Sequence, residues 1–279
     1  MTSLAFINAN VVDLVQGVSV PNQTVVLRGN TITAVGPSDQ LHPPPDAIKI
    51  DAHGKTLIPG LYDMHVHISP ANPSELLDET AALKRAQTYI QVFLTAGVTT
   101  VRNMAGTPLH LKLREQVAQG EALGPRIFSC GPILETRFTF PEVAEFGELV
   151  TTPDEGRDAV RRQKAAGFDF IKVYNDLDAH VYDAIIAAGH EFGIRVVGHV
   201  AFQKGLHGAL AAKQDSIEHL RSYDFAVDTR IGDVPWERYK GWLYATPQRI
   251  EELAEKKNCR GRCLEYPDVG GRAQPSFRR

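Results

Sequence analysis

Two histidines one residue apart, His65 and His67, close the run Ile58-Pro-Gly-Leu-Tyr-Asp-Met-His-Val-His. On a strand, side chains alternate between faces, so both imidazoles point the same way. Two nitrogen donors converging on one side can hold one divalent metal. Three further residues with ligand chemistry stand at the ends of apolar, strand-like runs. They are Lys172 in Phe-Ile-Lys-Val-Tyr, His199 in Val-Val-Gly-His-Val and His219 in Ser-Ile-Glu-His-Leu. A lone His-x-His is a weak sign of a metal site. Five such residues, closing four strands between them, are a strong one.

The elements that must position these side chains follow a regular rhythm from Leu61 onward. Candidate strands at 61–68, 98–104, 126–133, 168–174, 194–200 and 215–219 alternate with helical patterns. Ala82, Ala86, Tyr89, Ile90 and Phe93 form one apolar stripe before Gly97. Thr152 heads another helix, with Pro153 at its first position and Glu155 completing a capping box. Val181, Ala184, Ile185 and Ala188 repeat the helical spacing before Gly193. Strands alternating with helices of this length imply right-handed βαβ units and a parallel sheet, here of six units. All five candidate ligands fall at or near the C-terminal ends of these strands, the face on which an α/β barrel assembles its active site. A doubly wound sheet would carry a Gly-rich phosphate loop, and none is present. The α/β class is therefore read as a barrel.

Residues 4–58 differ, reading as short strands punctuated by turns. Phe6-Ile7, Val11-Val12, Val25 to Leu27, Ile32 to Val35 and Ile48 to Ile50 are the strands, Arg28-Gly29-Asn30 a hairpin turn, and Pro43-Pro44-Pro45 a loop. The segment is a small β-module.

The totals bound what the chain can be. Its 279 residues can bury a large core, and 43% apolar with 23% charged residues is ordinary for a globular protein. A net charge of -3 gives no reason to expect a nucleic-acid or acidic membrane partner. Apolar runs are too short to span a bilayer, and the start lacks the regions of a signal peptide. Three cysteines, Cys130, Cys259 and Cys263, argue against a disulfide framework, so a cytoplasmic location is expected.

Several stretches in order resemble the amidohydrolase superfamily, in its imidazolonepropionase-like and prolidase-like branch. They are Asp51-Ala-His-Gly-Lys-Thr-Leu-Ile-Pro-Gly-Leu-Tyr-Asp-Met-His-Val-His, Ala96-Gly-Val-Thr-Thr-Val-Arg, Ile171-Lys-Val-Tyr, Val197-Gly-His-Val and Ser216-Ile-Glu-His-Leu. The resemblance implies a TIM-type (β/α)8 barrel, here incomplete with strands one to six, preceded by a small N-terminal β-sandwich module. Residues 1–58 would be the N-terminal part of that composite sandwich and 59–257 the partial barrel. It implies that His65 and His67 bind one metal ion, His199 and His219 a second, both expected to be zinc, with Lys172 bridging them as a carbamate formed with carbon dioxide. A bare ammonium cannot ligate a cation because it has no lone pair, whereas a carbamate offers an anionic oxygen to each ion. A bridging water would become hydroxide near neutral pH and attack the carbonyl of a small amide or dipeptide substrate. A Schiff-base lysine is the rival reading of Lys172.

Arg102, Tyr174 and Tyr223 lie near the barrel mouth and are candidates for substrate contact. His42, His53, His110, His180, His190 and His207 lie on turns or helices and are expected to be solvated. Glu218 and His219, as neighbours on a strand, are expected to face opposite ways. The family's Arg-Asp after Thr-Thr-Val is Arg102-Asn103 here.

After Lys257 the sequence changes character, with Arg, Gly and Cys concentrated and apolar periodicity gone. Lys256, Lys257 and Asn258 can be written AAA AAA AAC, which opens on a run of eight adenines. Removing one base there, with permitted codons, yields a helix end and a Pro-Thr-Leu strand similar to the family's seventh. Residues 258–279 are thus expected to be an aberrant, out-of-frame and disordered tail. The family's aspartate from strand eight would then be absent, and Asp224 and Asp228 follow His219 too closely to replace it. The expected result is impaired hydrolysis, or a remnant that binds metal or a partner without catalysis. Six strands cannot close an eight-strand barrel, so a chain prone to aggregation is expected, and the sequence leaves an oligomer open without marking one.

Overall fold

The chain divides into two units, Met1–Leu61 and Tyr62–Arg279. The computed structural model describes residues 3–68, 78–139, 141–220, 222, 223, 226 and 246–256. The tail at 258–279, along with Asp224 and Asp228, lies outside the described residues.

The first unit carries one five-stranded sheet. Its strands are β1 (Ser3–Asp13), β2 (Val18–Arg28), β3 (Thr31–Pro37), β4 (Ile48–Asp51) and β5 (Thr56–Leu57). The order is β3-β2-β1-β4, with β5 also on β1. β1 runs antiparallel to β2 and parallel to β4 and β5. Two expected strands, at Phe6-Ile7 and Val11-Val12, prove to be one continuous β1 with register shifts around Ala9. Asn8 at φ 56 supplies the irregularity, since a left-handed residue breaks the pleat without ending the pairing. Gly29 at φ 61 takes the backbone sign that the tight hairpin between β2 and β3 demands.

The second unit is built on strands β6 (Leu61–Val66), β7 (Val98–Asn103), β8 (Arg126–Glu135), β9 (Gly147–Leu149), β10 (Phe170–Val173), β11 (Arg195–Gly198) and β12 (Ser216–Ile217). Their order is β12-β11-β10-β8-β7-β6, with the short β9 added to β8. Among the described residues this is a curled parallel half-barrel of six strands, of the TIM-barrel type. Among the described residues the sheet ends at β6 and β12, so each presents an unpaired edge. The helices are α1 (Glu79–Thr95), α2 (Pro108–Gln119), α3 (Pro141–Ala144), α4 (Pro153–Ala166), α5 (Ala179–Phe192), α6 (Gly205–Ala211) and α7 (Pro247–Lys256). No helix among the described residues is long and apolar enough to cross a membrane.

Local sequence explains where these helices start and stop. Thr152 accepts from the Glu155 amide, and Pro153 opens α4 without needing a donor. Gly167 at φ 93 and Gly193 at φ 65 close α4 and α5 in the left-handed conformation. The inward stripes of α4 and α5 include Ala159, Val160, Val181, Ile185 and Ala188, which pack with Ile171, Val173 and Val196 of the strands. A second cluster joins Ala82, Ala86 and Ile90 of α1 to Val66, Val101 and Ile127. Every residue of β10 is buried, so Lys172 is a charged side chain set within an apolar strand. The final strand is shorter than its sequence suggests. It ends at Ile217, and Glu218–Leu220 form a 3-10 turn.

Candidate metal centre

The five candidate ligands all lie at the C-terminal ends of parallel strands. His65 is on β6 and His67 directly follows it, Lys172 is on β10, His199 directly follows β11, and His219 sits in the turn after β12. The four imidazoles form a contiguous cluster. Ring centroids are 5.3 Å apart for His65 and His67, 4.3 Å for His65 and His219, and 5.3 Å for His199 and His219. Strand alternation carries His65 and His67 to one side, as their spacing requires. Tyr174 stacks on the His199 ring at 4.2 Å. His67, on the open side of the cluster, is held down to about 4 by partial burial first, then by the charge of Lys172 and by its histidine neighbours. It therefore stays neutral, in the form that can donate a lone pair, well below neutral pH.

Lys172 is 1% exposed, and among the described residues its Nζ has no hydrogen-bond partner. Burial lowers its pKa from 10.5 to about 8. The Tyr174 ring centroid is 6.0 Å from that nitrogen. Among the described residues no three His, Cys, Asp or Glu side chains form a ready-made cation cluster. The chemistry of the donor set still fits one. Four imidazoles are massed together, and an orphaned buried amine beside them would gain oxygen donors on carboxylation.

Sequence reasoning missed Glu218. It is 7% exposed, accepts from His65 Nδ1 at 2.8 Å and from Arg102 Nη2 at 2.6 Å, and takes a further bond from Ser216 Oγ. Burial acts to raise its pKa, but bonds from His65 and Ser216 and the Arg102 charge outweigh it, holding it at about 2. The expectation that Glu218 and His219 face opposite ways is corrected here. His219 adopts φ 60 in the turn beyond β12, so strand alternation no longer applies, and both side chains reach His65. No pattern of period two could have signalled this.

The three residues offered as substrate contacts separate. Tyr174 lies against His199, within the cluster. Arg102 is buried, donating through Nε to the Met64 carbonyl at 2.7 Å as well as to Glu218. Its guanidinium is thereby a clamp between β7, β6 and the turn after β12. Tyr223 is packed into the hydrophobic core that contains Val200 and Leu206.

Two more buried polar residues hold the strand end that presents His67. Asn103 is fully buried; its Oδ1 accepts from the Ile68 amide at 3.0 Å, and its Nδ2 donates to the Ala105 carbonyl and Ser129 Oγ. An aspartate here could not make those two donations. His110, expected in solvent, is instead 1% exposed, with Nε2 on the Ile68 carbonyl and Nδ1 accepting from the Thr107 amide. It caps α2 and pins Ile68 at once. The other five, His42, His53, His180, His190 and His207, are exposed. Gln214 performs a similar task between β11 and β12, donating to the Ser216 carbonyl at 2.8 Å while accepting from Tyr182 Oη.

His110→Leu is expected to destabilise the fold by about 2 kcal/mol at pH 8, because the Ile68 carbonyl and Thr107 amide lose their partner. Burial holds the His110 pKa below its ordinary 6.5. The unfolded chain thus takes up a proton that the folded one does not, and this contribution is lost as pH falls below 6.5. Urea midpoints of parent and variant should converge between pH 8 and pH 5. A gap that widens on acidification would refute the assignment.

The sequence model of the amidohydrolase family matches residues 56–264, well over half of the chain. The chain belongs to the amidohydrolase family. Its match begins at β5 and takes in every residue of the cluster. An adenine deaminase of Escherichia coli O157:H7 is 31% identical over 128 residues, which is 46% of this amidohydrolase chain and 21% of the deaminase. The matched segment thus spans about a fifth of the length of that relative. A solved structure from Bifidobacterium longum, described as a prolidase, is similar with a TM-score of 0.65 at 26% identity, covering 78% of this chain and 54% of that one. A prolidase solved with N-methylphosphonate-L-proline reaches a TM-score of 0.66 at 22% identity, covering 91% and 72% respectively. That likeness speaks for the fold.

Proposed function

We propose that this chain carries the centre of a metal-dependent hydrolase that cleaves a carbon–nitrogen bond in a small cyclic or linear amide, dipeptides included. Family membership supports the reaction class, and an adenine deaminase and prolidases both break C–N bonds. The observation that carries the reading is the Lys172 amine, buried without a partner among the described residues and close enough to the imidazole cluster for its charge to act on His67.

In this reading His65 and His67 hold one divalent ion, His199 and His219 a second, and zinc suits such ligands best. A pKa of about 8 leaves part of the Lys172 population neutral near pH 7. That free amine attacks carbon dioxide, forming an N–C bond and releasing a proton, and becomes an anion able to bridge both sites. Bound divalent ions would supply a water of lowered pKa and polarise the scissile carbonyl. Tyr174, stacked on His199, is the aromatic wall against which a substrate would rest. Among the described residues no carboxylate is assigned the role of accepting the proton from the attacking water.

The test is zinc uptake with and without bicarbonate, followed by turnover on N-acyl amino acids and X-Pro dipeptides. About two ions per chain are expected, with uptake stimulated by bicarbonate and rising as pH approaches 8. Uptake unchanged in Lys172→Ala, or absent in bicarbonate, would overturn the reading. Uptake without turnover would favour a remnant that binds metal and does not catalyse.

A further inference from the structure

We infer that Glu218 is a positioning residue for this centre, its carboxylate locking His65 in the tautomer that carries the proton on Nδ1 and keeps the Nε2 lone pair as the donor. The inference rests on the metal-binding reading for its purpose, but its geometry is independent of any ion. An ionised carboxylate only accepts, so the 2.8 Å contact between Glu218 Oε2 and His65 Nδ1 requires a proton on that nitrogen. A ligating histidine is commonly fixed in this manner by its other ring nitrogen.

What distinguishes Glu218 is how little freedom its own carboxylate has. Oε1 is taken by Arg102 Nη2 at 2.6 Å and by Ser216 Oγ, which leaves Oε2 for His65. Arg102 is itself fixed by the Met64 carbonyl, one residue before His65. A closed circuit therefore runs from the backbone at Met64 through Arg102 and Glu218 back to the ring of His65. It spans the two edges of the described sheet, β6 and the turn after β12. Cation–π contact of Arg102 with the Phe170 ring, 5.7 Å from its centroid, adds a third fixed point. Ring orientation and tautomer at His65 are set before any ion arrives.

Glu218→Gln makes the decisive variant because its shape is conserved while its polarity is not. Guanidinium nitrogens only donate, so the new amide oxygen must stay on Arg102. The amide NH2 then faces His65 Nδ1, which must accept, and the ring proton moves to Nε2. The nitrogen needed for the ion is blocked.

The experiment is long-range 1H–15N NMR of the histidine rings in metal-free protein, read at the alkaline end where imidazole is neutral, paired with zinc titration. Parent protein should show His65 with Nδ1 protonated. Glu218→Gln should invert that pattern and weaken zinc binding by roughly 10–100-fold. Ser216→Ala, which removes one bond to Oε1 only, should keep the parental tautomer and lose far less affinity. Parent protein with the His65 proton on Nε2 would overturn the inference, with no variant required. So would Glu218→Gln that retains both the parental tautomer and parental affinity. Inversion in a protein whose parent takes up no zinc would leave the tautomer lock standing and strike the metal reading instead.

Discussion

Lys172→Met is expected to abolish bicarbonate-stimulated zinc uptake while making the metal-free protein harder to unfold. The ammonium of Lys172 is buried without a hydrogen bond among the described residues, and the drop from 10.5 to about 8 corresponds to ~3 kcal/mol against its charged form. Methionine has a similar length, fills the same apolar strand and carries no charge to desolvate. Because the folded pKa lies below the unfolded one, the unfolded chain holds a proton between about 8 and 10.5 that the folded chain has lost. Stability of the parent should therefore climb with pH across that window. The advantage of the variant should be full below about 8 and fade toward 10.5. Urea unfolding of both proteins at pH 7 and pH 10, after chelation, measures this directly. A variant less stable than its parent at pH 7 would show that Lys172 packs as a satisfied core residue, and the argument for a reserved ligand would fall. The trade between stability and site chemistry is the expected mark of a functional residue placed where the fold alone would not choose it.

Gly198→Ala should have the larger structural effect. Gly198 adopts φ 133, a conformation strained for any L side chain, and an added Cβ would lie 2.1 Å from the Val173 carbonyl oxygen and 3.0 Å from Lys172 Cδ. That same oxygen accepts from the His199 amide at 3.1 Å. Backbone cannot yield there without parting β10 from β11, because Val173 and Gly198 are register partners. The expected cost is at least about 3 kcal/mol, and the shift would displace Lys172 and His199 together. Soluble yield, urea midpoint and zinc uptake of the alanine variant form the test. An alanine protein that folds and binds zinc like its parent would mean that the close approach of these strands is not needed. In the sequence this glycine is visible only as the residue before His199. Its spatial role depends on a neighbouring strand contributed by a segment 25 positions earlier in the register.

Much of this molecule is legible in its residues because parallel α/β folds write themselves locally. Apolar runs, capping signals such as Thr152-Pro153-Asp154-Glu155 and closing glycines at 167 and 193 identify six strand–helix units without tertiary information. His65 and His67 could be assigned to one side because alternation on a strand is a property of the backbone itself. The same rule failed at Glu218 and His219, since the strand stops at Ile217 and a positive φ at His219 replaces alternation with a turn. A turn signal misled in β1, where Asn8 lets one long strand absorb an irregularity that reads in sequence as a break.

Sequence alone nominated the residues of the proposed site, four histidines and a lysine, in an order that places them at or just beyond the C-terminal ends of four parallel strands. Only the tertiary structure decided which polar side chains serve that inventory. Glu218 meets His65 across 153 residues, Arg102 meets Glu218 across 116, and His110 meets Ile68 across 42. Such pairings carry no local period, because they arise where two elements happen to be brought edge to edge. Burial then makes each partnership compulsory, for a polar group removed from water must find its complement inside the protein.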